Sequence, residues 1–135
     1  MATAPASGQG WYAATPFRAE PEAIAPGVCL LRLSGDLDID TAELASEAIR
    51  ANVCPPARIV LLDLSGVTFC SSAGLRVLTA ARKAATQGID LGLVGSGRPV
   101  RRPMQVTGLD AHFLFFGTVA EALAHGTPSD GPEAD

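Results

Sequence analysis

The stretch I-V-L-L-D-L-S-G-V-T-F-C-S-S-A-G-L-R-V-L, residues 59–78, decides how the chain folds. With Arg58 in front, R-I-V-L-L-D-L at 58–64 is an apolar run of strand length, as expected for a strand covered on both faces. After the polar break at Ser65-Gly66, Leu75, Leu78, Ala81 and Ala85 recur at helical spacing. A helix is expected to open at the paired serines with Ser72 as its cap, to run to Gln87 and to stop at Gly88. A buried strand feeding a helix is the building unit of an α/β layer fold.

Working outward, G-V-C-L-L-R-L-S-G at 27–35 reads as a second strand, paired with a short earlier one around Phe17–Glu20. Asp40-Thr41-Ala42-Glu43 is expected to open a helix, with the glutamate reaching back to the cap. That helix runs to about Asn52, turns Leu44, Ala48 and Ile49 to one face, and is ended by Pro55-Pro56. Downstream, I-D-L-G-L-V-G at 89–95 is a strand and Arg98–Thr107 a helix that Pro103 keeps short or kinked. His112–Phe116 is strand-like and Val119–Ala124 a last helical segment. The alternation gives an α/β fold with a partly parallel sheet.

The 135 residues suffice for one domain with a sizeable core. Residues 1–16 read as a flexible leader, 17–125 as the domain and 126–135 as an acidic, Pro/Gly-broken tail. Ten basic against fourteen acidic residues leave a net charge of −4. No basic stripe suits a nucleic acid or an anionic membrane surface. Three cysteines, Cys29, Cys54 and Cys70, are an odd number at unpatterned spacings, so neither a disulfide framework nor a metal knuckle is expected. With no signal-peptide pattern and no apolar run of about 18 residues, a cytoplasmic protein with reduced thiols is expected.

The residues alone leave three readings of the serine loop open. Serine at a helix start caps it for about 1 kcal/mol and nothing more, although Gly74 in the first turn is a poor helix former and suits a close backbone approach. Cys70 and Arg76 satisfy the C-x5-R spacing of a cysteine phosphatase, in which the thiolate is the nucleophile. Ser65–Phe69 separate the expected strand from Cys70, which weighs against that chemistry. Thirdly, a serine at a helix N-terminus is an accessible phosphoacceptor, since a phosphate there meets free N–H groups and the positive end of the dipole.

L-S-G-D-L-D-I-D-T-A at 33–42, the 59–78 stretch, G-I-D-L-G-L-V-G at 88–95 and V-R-R-P-M-Q-V-T-G-L at 100–109 together resemble the bacterial anti-sigma factor antagonists, which carry the STAS domain. The resemblance implies a single STAS-type domain with a mixed sheet and helices mainly on one face. It also implies a protein that is not an enzyme and needs no cofactor or metal. The unphosphorylated form would bind an anti-sigma factor that is also a serine kinase and release the sigma factor. Phosphorylation would switch that binding off, and a phosphoserine phosphatase would reverse it. By its place in the motif the phosphoacceptor is Ser72, with Ser71, standing where the family usually has aspartate, as the lesser candidate. Asp36, Asp38, Ser71, Ser72, Gly74, Leu75 and Arg76 would form the partner surface. A STAS scaffold or accessory subunit that is never phosphorylated is the alternative, and a weak homodimer is compatible with either.

Other features carry less. The glycines of Gly92–Gly97 are in the wrong order for a dinucleotide fingerprint. His112 and His125 stand at no ligand spacing, Met104 is expected in the core, and Arg101-Arg102 reads as a solvated helix face able to touch an acidic partner.

Overall fold

The computed structural model describes residues 16–85 and 88–125. The expected tail, Gln87 and nearly all of the leader lie outside the described residues. Five strands form one sheet in the order β1-β2-β3-β4-β5: β1 Arg18–Ala25, β2 Val28–Leu37, β3 Ile59–Cys70, β4 Asp90–Val94 and β5 Leu114–Phe116. β1 runs antiparallel to β2, and every other neighbouring pair is parallel. Four α-helices connect them: α1 Ala42–Asn52, α2 Ser72–Ala84, α3 Arg98–Thr107 and α4 Val119–His125, with a 3-10 turn at Leu109–His112. The mixed sheet is the one expected.

Period-two alternation divides the core between the two faces of the sheet. Leu31, Leu33 and Leu37 of β2 and Val60, Leu62 and Leu64 of β3 pack with Ile49 of α1, Leu75 and Leu78 of α2, and Val100 and Met104 of α3. The intervening Leu30 and Leu61 turn the other way, against Val94 and Ala122 of α4. Three helices therefore share one face and α4 covers part of the other. Arg32, on β2 between its neighbours, reaches Glu22 of β1 at 2.5 Å and Asp63 of β3 at 3.8 Å. Arg32 and Glu22 are half-exposed, where such pairs contribute at most ~1 kcal/mol, while Asp63 is more buried.

Several expectations need correction. β3 does not stop at Leu64 but continues to Cys70, its register with β2 shifting twice on the way, once between Arg32 and Ser34 and once between Gly35 and Asp36. β4 pairs only as far as Asp63, so β3 outruns it. In α1, Ala45 and Ile49 are the buried residues and Leu44 is exposed. Ile49 and Ala48 face the core as expected, but Ala45 takes the place expected of Leu44. Glu43 forms no capping box, and Thr41 makes no side-chain cap bond into α1. α2 is capped by Ser71, with Ser72 as its first residue. α3 occupies the expected span, running ten residues through Pro103 from Gly97 to a left-handed Gly108. Arg101 is not solvated: it is half-buried with its guanidinium 3.9 Å from the centre of the Phe115 ring.

Candidate functional site

The serine loop is assembled at the C-terminal ends of β2 and β3. The turn after β2 is closed by its own side chains. Asp38 Oδ1 accepts from the backbone N–H of Asp40 (3.0 Å) and of Thr41 (3.2 Å), an Asx turn. The Thr41 hydroxyl donates to the Asp36 carbonyl at 2.8 Å and accepts from the Asp38 N–H at 3.0 Å. The Asp36 carboxylate accepts from the Thr68 hydroxyl at 2.8 Å, tying the end of β2 to the end of β3.

The first turn of α2 is fixed to the same strand end. The Ser71 N–H donates to the Leu37 carbonyl at 3.0 Å, and Ser71 Oγ accepts from the Gly74 N–H at 3.4 Å. At Gly74 a Cβ would lie 2.6 Å from the Leu37 carbonyl oxygen and 2.9 Å from Cys70 Sγ. The close approach that this glycine permits is the protein's own: α2 is seated directly on β2. Gly35 does the same on the other side, at φ +93°, where a Cβ would fall 2.2 Å from the Pro16 carbonyl oxygen.

Of the seven residues expected in partner contact, the structure brings Asp36, Asp38, Ser71 and Ser72 to one end of the sheet. Ser72 is exposed, and its hydroxyl has no hydrogen-bond partner among the described residues. Arg76 is exposed one helical turn further on. Gly74 and Leu75 are buried and position the loop from beneath. Two exposed apolar side chains at this end were not singled out in the sequence: Ile39 (72%) and Phe69 (52%). Ile39 stands between the aspartates of the turn, and Phe69 is the β3 partner of Asp36. The signal for Ile39 was its place in D-L-D-I-D. Phe69 had none, because the sequence did not show that β3 runs on past Leu64.

Cys70 is the end of β3, so the strand runs directly into it, contrary to the expected gap. Its thiol nevertheless lacks the chemistry of a nucleophile. It is 5% exposed, and burial pushes its pKa up from 9.0 to about 11, the opposite of an activated thiolate. Its Sγ donates to the Ser71 carbonyl at 3.7 Å. No group of three or more metal-ligating side chains occurs among the described residues. No helix among them is long and apolar enough to cross a membrane.

The family model of the STAS domain matches residues 22–122. The chain belongs to the STAS family, within its anti-sigma factor antagonists. A curated relative of this STAS protein, anti-sigma-F factor antagonist RsfB of Mycobacterium tuberculosis, is 37% identical over 97 residues, covering 72% of the chain and 80% of the relative. The crystal structure of an anti-sigma factor antagonist from Mycobacterium paratuberculosis superposes with a TM-score of 0.74 at 33% identity, covering 82% of this chain and 93% of that one. The anti-sigma factor antagonist SpoIIAA in its unphosphorylated form shares the fold at a TM-score of 0.65 and 20% identity, over 80% of this chain and 95% of its own.

Proposed function

We propose that this STAS protein binds an anti-sigma factor through the loop end of its sheet and so frees a sigma factor, with Ser72 as the switch. The observation that carries the reading is the division of labour between the two serines. Ser71 spends its hydroxyl on capping α2, while Ser72, at the first helical position, is exposed with its hydroxyl unpartnered. A kinase can therefore modify Ser72 without uncapping the helix, and Ser71 is the poorer acceptor because its modification would.

The partner surface is Asp36, Asp38, Ser72 and Arg76, with Ile39 and Phe69 as its apolar anchors; Gly74 and Leu75 hold it from below. Phosphate on Ser72 adds ~−2 charges at the N-terminus of α2, where backbone N–H groups donate to it. A partner that buried a neutral hydroxyl would then face a desolvated dianion, so affinity falls with no refolding. The partner is an anti-sigma factor that doubles as the serine kinase, and a phosphoserine phosphatase restores the binding form.

Phosphopeptide mass spectrometry on protein recovered with its partners from resting and stressed cells tests this directly. Phosphate on Ser72 and a co-purifying ATPase of the kinase type are expected. With that partner, Ser72→Asp weakens binding at least tenfold by calorimetry and Ser72→Ala retains it. Equal affinities for the two variants would remove the switch and leave an unmodified scaffold.

A further inference from the structure

Beyond Asp63, β3 has no β4 partner and runs on beside α3. Between them lies an open groove of about 360 Å³, walled by Thr68 and Phe69 of β3 and by Pro99 and Pro103 of α3. Arg98 and Arg102 line it too, four residues apart on the helix and so about 6 Å along one face of it. Both arginines are exposed, and neither forms an ion pair or hydrogen bond among the described residues.

The groove is continuous with the surface proposed for the anti-sigma factor. Phe69 belongs to both, and the Thr68 hydroxyl on the groove wall donates to the Asp36 carboxylate at 2.8 Å. A partner seated on Phe69 and Ser72 therefore lies against the groove as well. Charge is sorted along the combined surface: Asp36, Asp38 and Asp40 stand around the turn between β2 and α1, and Arg98 and Arg102 stand at the groove. A guanidinium takes a carboxylate through paired hydrogen bonds, so the groove suits an acidic side chain flanked by an apolar one.

We propose that an acidic segment of the anti-sigma factor docks in the groove between β3 and α3, with its carboxylates on Arg98 and Arg102 and an apolar side chain against Phe69. Covering the apolar walls displaces water from around the arginines, which strengthens their pairing with carboxylates. The two patches of opposite sign fix the orientation in which the partner can approach the serine loop. The identity of the partner rests on the proposed function, whereas the charge and shape of the groove do not.

The test compares R98Q/R102Q with R50E, which lowers the net charge by the same amount at an exposed position in the last turn of α1. Each is titrated by calorimetry with the anti-sigma factor that co-purifies with the wild type, at about 0.1 M and about 0.5 M salt. R98Q/R102Q is expected to keep its melting midpoint, to bind about tenfold more weakly at the lower salt and to lose most of the salt dependence. R50E is expected to bind as the wild type does. In R98K/R102K, a carbodiimide, which joins amines to carboxylates, is expected to couple α3 to aspartates or glutamates of one partner segment. Wild-type affinity in R98Q/R102Q would overturn the proposal. So would an equal loss in R50E, which assigns the effect to net charge, or coupling through Lys83 alone. A wild type that binds no anti-sigma factor would overturn the proposed function and this inference with it. Equal affinities of Ser72→Asp and Ser72→Ala, with the arginine effect intact, would overturn the switch alone.

Discussion

At the scale of single residues, Cys70 and Gly74 make the sharpest predictions, because each is hemmed in by the other and by Leu37. The Cys70 thiol is buried with its pKa raised to about 11, so the folded state favours the neutral form. A group with a folded pKa above its unfolded one contributes stability that is fully present below the unfolded value, near 9. That contribution is lost as pH rises through 11. Between these limits the wild type should lose about 2–3 kcal/mol that Cys70→Ala does not, measured by urea denaturation across that range. In native protein, iodoacetamide should label exposed Cys54 quickly and Cys70 only on unfolding. Gly74→Ala puts a carbon 2.6 Å from the Leu37 oxygen and 2.9 Å from Cys70 Sγ. The gain in helix propensity, about 1 kcal/mol, is outweighed by overpacking of about 1–3 kcal/mol or more. A net fall in the melting midpoint is expected, where an ordinary exposed helix glycine would give a rise.

At the scale of elements, the two serines separate by their effect on α2. Ser71→Ala removes the cap and should cost about 1 kcal/mol in thermal or chemical denaturation. Ser72→Ala, which removes no hydrogen bond among the described residues, should lie within about 0.5 kcal/mol of wild type. The sequence could not choose between these neighbours, since either serine suits a cap. The tie is broken by the Ser71 N–H bonding to Leu37, a contact between residues 34 apart in the chain. The same limit hid the length of β3. Its hydrophobic run lapses at Ser65-Gly66, and only pairing with β2, through two register shifts, carries it on to Cys70. In α1, Leu44 and Ala45 offer adjacent inward stripes, and tight packing favoured the smaller residue. Where local signals were self-sufficient the reading was accurate: Gly97 and Gly108 bracket α3 at its expected ends, and the apolar run at 59–64 lies within β3 as the buried central strand.

At the scale of the whole molecule, the sheet separates a supporting side from a signalling end. α4 closes the smaller cluster around Leu30, Leu61 and Val94. Ala122→Asp should therefore destabilise the fold by about 2–4 kcal/mol, through a buried unpaired charge. Affinity per folded molecule for the anti-sigma factor should be unchanged, as calorimetry corrected for the folded fraction would show. The fold was legible as a whole because four motifs fell in the right order, whereas β3's run past the end of β4 was not. That overhang has a dynamic consequence. Val60 to Leu62 are paired on both sides, by β2 and β4, but the last residues of β3 are held by β2 alone. Amide hydrogen exchange at Val67–Phe69 should accordingly proceed by local opening, orders of magnitude faster than at Val60–Leu62, which wait for global unfolding. The end of the sheet that carries Ser72 can thus open locally while the rest of the molecule stays closed.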